Sequence, residues 1–269
     1  MLRFASLASG SKGNCLVAEA GSTKVLIDCG LGPRKMVQRL GMLGVEPGSI
    51  SALLITHEHD DHAGGAWAFA LAHGVPMWMT RGTHRALGEA GMLGRSSGAR
   101  HGDDTPSPEI HFLDGRSAIE IGDIQVQPFT VPHDAAEPVQ YRLSDGSVYL
   151  GVLTDLGVQT PHVVEVLSGC HGLVLECNHE LEMLWASDYP RWLKERISGP
   201  LGHIDNSAAS RLLASLDRSR LQHVIAAHLS IQNNTQDAAR RALAGAMNCS
   251  DDWIGLAEQD FGFPWRDLS

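Results

Sequence analysis

The stretch 57–62 reads His-Glu-His-Asp-Asp-His and concentrates potential metal ligands in six residues. Imidazole nitrogens and carboxylate oxygens are ligands with which proteins bind zinc, manganese and iron. The apolar run 52–55 before it predicts a buried strand, and the run from 63 to 73 predicts a helix. On a helix, positions 57 and 59 would point about 200° apart, whereas on a loop they can converge. The sequence therefore predicts a metal site on a loop between a strand and a helix.

Acidic and imidazole side chains recur where other predicted strands end. They are Asp28, His57, His133, Asp155, Glu176 and His228. Because function is often assembled at one rim of the sheets that carry it, we expect these side chains to converge. Two metal ions need about seven or eight ligands, and the chain offers a set of that size. Candidate ligands are His57, His59, Asp61, His62, His133, Asp155 and His228. Asp28 could also bind a metal, but hydrogen bonding to the neighbouring loop suits it better.

The predicted elements follow the order strands, helices, strands, helices. This order favours two βα halves packed face to face as a four-layer αββα sandwich of the α/β class. No linker or low-complexity segment interrupts the chain, so we expect one domain over residues 1–269. The polar stretch 94–117 is predicted to be a long surface loop with solvated His101 and His111.

Composition limits the class of protein. A hydrophobic content of 43% and a charged content of 19% are those of a soluble globular protein. No apolar run is long enough to span a membrane, and the start of the chain lacks the pattern of a signal peptide. The five cysteines are scattered without a C-x-x-C pair, which favours buried thiols in a reducing cytoplasm. A net charge of −10 argues against coating nucleic acid by bulk charge, although two divalent ions would attract phosphate locally.

A Gly/Ser-rich loop, residues 9–14, joins the first two predicted strands. Its glycine spacing is neither that of a Walker loop nor that of a dinucleotide-binding loop. Its backbone N–H groups could face an anion, but taken alone the segment fits a hairpin turn better.

These motifs resemble those of the metallo-β-lactamase superfamily over nearly the whole chain. The stretch 57–62, then His133, Asp155 and His228, matches the family's ordered metal motifs, and Asp28 matches its early aspartate. The resemblance implies two divalent ions, bridged by Asp155. One would be bound by His57, His59 and His133, and the other by Asp61, His62 and His228. It also implies that a hydroxide bridging the ions attacks the substrate, with Asp61 orienting or deprotonating the water.

Two further motifs, at 176–179 and 202–206, resemble the Glu and His motifs of tRNase Z. In that family they are linked to proton delivery to the leaving oxygen. The chemical need is general, because cleaving a phosphodiester releases an alkoxide that a His backed by a carboxylate can protonate. Glu176 and His203 could instead be a buried structural pair, and His179 a partner of the catalyst. Only 20 residues separate Asp155 from Glu176, too few for the tRNA-gripping arm of tRNase Z.

The whole set is most similar to the YycJ/WalJ-like subfamily, whose motifs appear at 7–14, 176–179, 202–206 and 228–230. The chain departs from them at Cys177, where Ser is common, and at Ile204-Asp205, where Leu-Ser is common. The resemblance implies a 5′-to-3′ exonuclease with DNA as substrate, and it suggests a role in DNA repair. It also favours a position for the 9–14 loop beside the active site.

We therefore expect a phosphodiesterase with two divalent metal ions, zinc, manganese or iron, and no other cofactor. The expected catalytic residues are Asp61, Glu176, His179 and His203. The expected substrate contacts are Ser11, Asn14, Asn206 and Ser230. Arg191, Lys194 and Arg196 could grip a phosphate backbone or form a solvated face. The alternative functions are a small-molecule hydrolase, such as a cyclic phosphodiesterase of the PhnP type or less readily a thioesterase or lactonase, and a non-catalytic metal-binding protein.

Overall fold

The computed structural model describes residues 1–94 and 106–269. Its strands form mostly where short aliphatic runs are bounded by residues such as Gly, Asp or Ser. The elements up to residue 113 are β1 (Leu2–Ala8), β2 (Cys15–Ala20), β3 (Thr23–Ile27), α1 (Pro33–Met42), β4 (Ala52–Leu54), α2 (Asp60–Ala63), α3 (Ala66–His73), β5 (Met77–Thr80), α4 (Arg81–Glu89) and β6 (Ile110–Leu113). Those that follow are β7 (Ile119–Ile121), β8 (Ile124–Thr130), β9 (Val139–Ser144), β10 (Tyr149–Leu153), α5 (Pro161–Leu167), β11 (Gly172–Glu176), α6 (Leu181–Ala186), α7 (Arg191–Ile197), α8 (Asn206–Ser215), β12 (His223–Ala227), α9 (Gln236–Met247), β13 (Gly255–Leu256) and β14 (Phe263–Leu268).

The strands form two mixed sheets that pack face to face. Their orders are β14-β1-β2-β3-β4-β5-β6 and β13-β12-β11-β10-β9-β8-β7. Phe4 of the first sheet and Tyr141 of the second are fully buried in the core between them. Helices α1 and α3 cover the outer face of the first sheet, and α5, α8 and α9 cover that of the second. Full burial of a Leu or Phe side chain in these cores stabilises the fold by about 1.5–3 kcal/mol. The predicted αββα sandwich is confirmed.

The last two strands were not expected from the sequence. β13 joins the second sheet, whereas β14 returns to the first sheet and pairs antiparallel with β1, with Leu2 opposite Leu268. β14 contains Pro264, which suppresses a strand prediction. The strand lies at the edge of its sheet, where a residue without an N–H group is tolerated. The two halves are therefore not strictly sequential, because the first sheet takes its outermost strand from the far end of the fold.

The prediction of a loop across residues 94–117 is wrong for 110–113. These residues form β6, which pairs in parallel with β5. His111 is not freely solvated, because its ring stacks on Trp78 with centroids 4.1 Å apart, and Nε2 lies 3.0 Å from a Glu109 oxygen. The strand residues, Ile-His-Phe-Leu, are a short and mostly apolar run within polar surroundings, and pairing with β5 and packing on Trp78 stabilise it. His101 lies outside the described residues.

All five cysteines are free thiols; Cys249 is partly exposed and the other four are buried. The expectation of buried thiols is confirmed for those four. No helix in residues 1–94 or 106–269 has the length and apolarity that crossing a membrane requires.

Candidate active site

The first group of candidate ligands is formed by His57, His59 and His133. His57 and His59 follow β4, and His133 follows β8, so the site joins the rims of both sheets. The Nδ1 atom of His59 lies 2.9 Å from His57 Nε2 and 3.3 Å from His133 Nε2. Three imidazole nitrogens that face one another at such distances match the donor set of a zinc-type site.

The second group is formed by Asp61, His62 and His228. The Oδ2 atom of Asp61 lies 3.4 Å from His62 Nε2 and 3.3 Å from His228 Nε2. Asp155 lies between the two groups, with Oδ2 3.1 Å from His62 Nε2 and Oδ1 3.9 Å from His133 Nε2. The structure thus brings together all seven ligands expected from the sequence, with Asp155 in the central position.

The second ring nitrogen of His62 and of His57 is held by a side-chain oxygen. The Nδ1 atom of His62 lies 2.8 Å from Asp28 Oδ2, and that of His57 lies 2.9 Å from Thr56 Oγ1. Asp28 also accepts hydrogen bonds from the N–H and hydroxyl groups of Thr56. Asp28 therefore ties the ligand loop, as expected. Thr56 was missed, because a threonine at a strand end carries no signal of its own.

Two more of the candidate ligands, His133 and His228, show the same arrangement. The Nδ1 atom of His133 lies 3.0 Å from the Gly202 carbonyl oxygen, and His228 Nδ1 lies 3.4 Å from Glu176 Oε1. An oxygen partner on the outer nitrogen fixes the ring and directs the inner nitrogen to a metal. In addition, Asp155 Oδ2 is buried, and within the described part of the chain no well-aligned hydrogen bond reaches it, although His62 Nε2 lies 3.1 Å away. The donor set and this vacant oxygen fit divalent metal ions.

Neighbouring charges and burial shift the pKa values of several side chains in the site. Burial alone would lower the pKa of His62, but Asp155, Asp61 and Asp28 outweigh burial and raise that pKa well above its usual range. Burial would raise the pKa of Asp61, but the neighbouring His62 and His228 lower it well below its usual range. Burial, together with His62, lowers the pKa of His57. These opposing charges stabilise one another in a place where cations would replace protons.

Backbone conformation directs two of these side chains. Asp28 and His228 both have left-handed backbone, with φ of 63° and 54°, which costs about 1–2 kcal/mol for a non-glycine residue. Both turn the chain sharply at a strand end, so that the side chain reaches the shared rim. The N–H group of His228 donates to Ser9 Oγ at 2.8 Å, which helps to hold this conformation.

The 9–14 loop lies against the ligand loop. The N–H group of Asn14 donates to the Asp61 carbonyl at 2.7 Å, and its side-chain amide donates to Asp61 Oδ2 at 3.2 Å. Gly30 packs on the other side, where a Cβ atom would lie 1.8 Å from the Asp61 carbonyl oxygen. Only glycine permits this approach. The expected place of the loop beside the site is confirmed.

Glu176 and His203 form a pair at the edge of the second metal group. The Nδ1 atom of His203 lies 2.7 Å from Glu176 Oε1 and 3.3 Å from Asp155 Oδ1. Glu176 is fully buried, and its Oε2 accepts hydrogen bonds from the N–H groups of Leu156 and Ile204. The pair is therefore rigidly placed beside the metal ligands, in the geometry of an oriented proton donor.

An open cavity of about 400 Å³ exposes this chemistry to a substrate. The expected residues that line it are Ser11, His59, Asp61, Asp155, His203, His228 and Ser230. Tyr189, Leu193 and Ile197, from α7 and the segment before it, also line it. Sequence reasoning missed these three, since an aromatic or aliphatic residue near a helix is most often assigned to a core.

Besides the fully buried Glu176, three of the expected catalytic and substrate-binding residues do not line the cavity. His179 is 1% exposed, with Nδ1 3.2 Å from Asn178 Oδ1, and burial lowers its pKa. Asn206 is buried and exchanges hydrogen bonds with the side chain of Asn234. Asn14 is engaged with the Asp61 loop, as described above. All three side chains therefore contact neighbouring protein groups and not the cavity.

The basic residues of α7 are largely paired. Arg191 Nε donates to Glu195 at 2.7 Å, and Lys194 Nζ donates to the Trp185 carbonyl at 2.8 Å. Arg196 lines the cavity while its Nε donates to Asp134 at 2.6 Å. Of the three, the structure brings only Arg196 to the cavity.

Comparison with known proteins agrees with this geometry. Residues 8–161 match the model of the metallo-beta-lactamase superfamily. The exodeoxyribonuclease YycJ of Bacillus anthracis is 31% identical over 256 residues, which cover 95% of this chain and 93% of that protein. The exodeoxyribonuclease WalJ of Streptococcus pneumoniae strain D39 is 29% identical over 254 residues, covering 94% and 91%.

A solved structure supports the fold independently. The metallo-beta-lactamase fold protein YhfI of Bacillus subtilis has a TM-score of 0.73 at 13% identity, over 99% of this chain and 100% of that one. Identity this low is informative about architecture only. With the family model matching over half of its length and full-length relatives about 30% identical, this chain belongs to the metallo-β-lactamase superfamily and, within it, to the YycJ/WalJ-like subfamily.

Proposed function

We propose that this protein is a metal-dependent exodeoxyribonuclease that digests DNA from the 5′ end. The observation that carries the proposal is the His203–Glu176 pair, in which Nδ1 lies 2.7 Å from Oε1. Glu176 is buried, and His203 lines the cavity that several of the candidate metal ligands also line. A proton donor placed there suits a reaction that releases an alkoxide, as phosphodiester cleavage does. Two full-length relatives named exodeoxyribonucleases support DNA as the substrate.

The two ligand groups would hold two divalent ions, with Asp155 shared between them. Zinc, manganese and iron all suit mixed His and Asp ligands. Ions bound there would neutralise the charge of the phosphate and activate a water molecule as the nucleophile. We assign no further cofactor to the chain.

The protein's own groups complete the reaction. The Asp61 carboxylate, which lines the cavity, orients the attacking water and accepts its proton. His203 gives a proton to the leaving oxygen and is held in place by Glu176. Ser11 and Ser230 line the cavity. In this proposal their hydroxyl groups donate hydrogen bonds to phosphate oxygens. His179, Asn14 and Asn206 act as positioning residues, because their side chains do not reach the cavity.

Two broader assignments belong to the same proposal. We assign residues 1–269 to one domain, since β14 pairs with β1 and both sheets share one core. We place the enzyme in the cytoplasm, because five free thiols suit a reducing compartment.

The test is digestion of duplex DNA that carries a label at the 5′ or the 3′ end, with added Mn²⁺. The proposal predicts release of labelled mononucleotide from the 5′ end, and none from an Asp61→Ala variant. Release from the 3′ end would reverse the polarity. Hydrolysis of bis(p-nitrophenyl) phosphate without digestion of DNA would instead favour a hydrolase of small phosphodiesters.

A further inference from the structure

A basic groove lies next to the active-site cavity, on the far side of the 9–14 loop. It has a volume of about 520 Å³ and is lined by Lys12, Gly30, Leu31, Gly32, Pro33, Arg34 and Lys35. Three of these seven residues are cations and none is acidic. In a chain with a net charge of −10, this is a local reversal of sign. The charge of the groove is thus opposite to that of the protein as a whole.

Two observations place the groove next to the cavity. Ser11 lines the cavity and Lys12 lines the groove, so the two spaces are separated by one residue, or about 3.8 Å of backbone. Gly30, in the floor of the groove, packs directly on the backbone of Asp61, whose side chain lines the cavity. For a chain molecule that leaves the cavity past Ser11, the groove is therefore the adjoining surface.

The three cations differ in their surroundings from those of α7. Lys12, Arg34 and Lys35 are exposed, and no ion pair of theirs occurs among residues 1–94 and 106–269. Arg191 and Arg196 are already paired with carboxylates. The first turn of α1, which begins in the groove, also carries no acidic residue. The positive end of that helix therefore adds to the field of the side chains.

We propose that this groove binds the phosphodiester backbone of the DNA strand whose end occupies the cavity. The inference rests on the proposed function and extends it, because it names the surface that distinguishes a polynucleotide from a small phosphate ester. A substrate with one phosphodiester fills the cavity alone. A longer strand places further phosphates beside Lys12, Arg34 and Lys35, which raises its affinity and makes that affinity depend on salt.

The experiment compares the wild type with a triple variant, Lys12→Gln, Arg34→Gln and Lys35→Gln. Two substrates are used, bis(p-nitrophenyl) phosphate and a single strand of about 20 nucleotides. For the strand, the variant should raise KM while kcat changes little. Loss of three phosphate contacts should flatten the plot of log kcat/KM against log salt by about 2. Between 50 and 200 mM salt, the wild type should then lose roughly 15-fold more activity than the variant. Activity on the small ester should be equal in both proteins.

A second triple variant, Arg211→Gln, Arg220→Gln and Arg241→Gln, removes the same charge from exposed positions of the second half of the chain. It should retain the KM and the salt dependence of the wild type. Equal salt dependence in the wild type and the groove variant would overturn the inference and leave the proposed function intact. If the wild type hydrolyses the small ester but not DNA, both the function and the groove assignment fall. Binding of the labelled strand can also be measured in EDTA by fluorescence anisotropy. The wild type and the control variant should bind with equal affinity, and the groove variant should bind more weakly.

Discussion

The Nδ1 atom of His203 lies 2.7 Å from Oε1 of Glu176, a carboxylate that is fully buried. A carboxylate only accepts hydrogen bonds, so Nδ1 must donate, and Nε2 is the nitrogen left for the cavity that His203 lines. The pair is therefore suited to hold a proton at Nε2 and release it to a leaving group.

Replacing His203 by Ala should slow DNA cleavage while leaving metal binding intact. Loss of a general acid typically costs about 10²–10⁴-fold in rate. Metal content, measured by elemental analysis of the purified variant, should equal that of the wild type. Loss of metal together with activity would instead make His203 a ligand.

Glu176→Gln is the companion variant, since Glu176, His203, Asp155 and His228 also come close enough to form a metal-binding group. As a positioning residue, Glu176 should affect kcat more than KM, because the substrate does not touch it. The metal content should again stay at the wild-type level. A loss of one ion per chain in this variant would contradict the positioning role.

Replacing Asp155 by Ala should remove metal from both ligand groups. Its carboxylate lies between His62 and His133, one from each group, and a bridging carboxylate serves both ions. Elemental analysis should find less than one ion per chain. Asp145→Ala, at a hairpin outside the site, is the control and should keep the wild-type content. Two ions in the Asp155 variant would exclude the bridging assignment.

Gly30→Ala should impair the site, and Gly32→Ala should not. A Cβ at Gly30 would lie 1.8 Å from the Asp61 carbonyl, whereas nothing lies within 4 Å of one at Gly32. The ligand loop must therefore shift only in the first variant. Activity with Mn²⁺ should fall at least about tenfold for Gly30→Ala, since misplacement of about 1 Å can cost 10²-fold. Comparable activity of the two variants would show that the close contact does not position Asp61.

Removing metal should lower the melting temperature. Ligands that bind only the folded state at 100 times their Kd add about 2.7 kcal/mol each to the free energy of unfolding. For a protein of this size, EDTA should then lower Tm by roughly 5–10 °C per ion. Differential scanning fluorimetry of the wild type and of Asp155→Ala provides the comparison. The variant should already melt at the lower temperature and respond little to EDTA.

Alkylation at pH 8 should label Cys249 well before the other cysteines. Burial raises the pKa of Cys170 to about 12, so less than about one part in a thousand is thiolate at that pH. Cys249 is partly exposed, and the remaining three thiols are buried. Mass spectrometry after iodoacetamide treatment should find one modified site in the native protein and five after denaturation. Rapid native labelling of Cys177 would contradict its burial.

The sequence was most informative where side chains of unusual chemistry follow apolar runs. The candidate ligands His57, His133 and Asp155 could be predicted because a strand ends just before each of them. The structure brings them together because the rims of the two sheets meet. The supporting contacts were harder to find. Thr56, which contacts both Asp28 and His57, is an ordinary residue whose role appears only when two strand ends are brought together.

The missed elements share a cause. β14 and β6 are stabilised by pairing with β1 and β5 and by contacts such as Trp78 on His111, not by their own composition. Strand propensity reflects such packing, so a run of only four residues, as in β6, or one that contains proline, as in β14, carries little signal by itself. Tyr189 was missed for a related reason. It lines the active-site cavity because of where the following helix, α7, packs, and the sequence does not show that position.

The pairing of β14 with β1 also affects how the protein is made. β1 and β2 leave the ribosome first, but the partner on the other side of β1 is synthesised only after β2 to β13. During that interval one edge of β1 has no partner strand. Its N–H and C=O groups on that side are open to pairing with another chain. Products that stop before residue 263 would keep this edge permanently, so aggregation during expression should be most severe for such fragments.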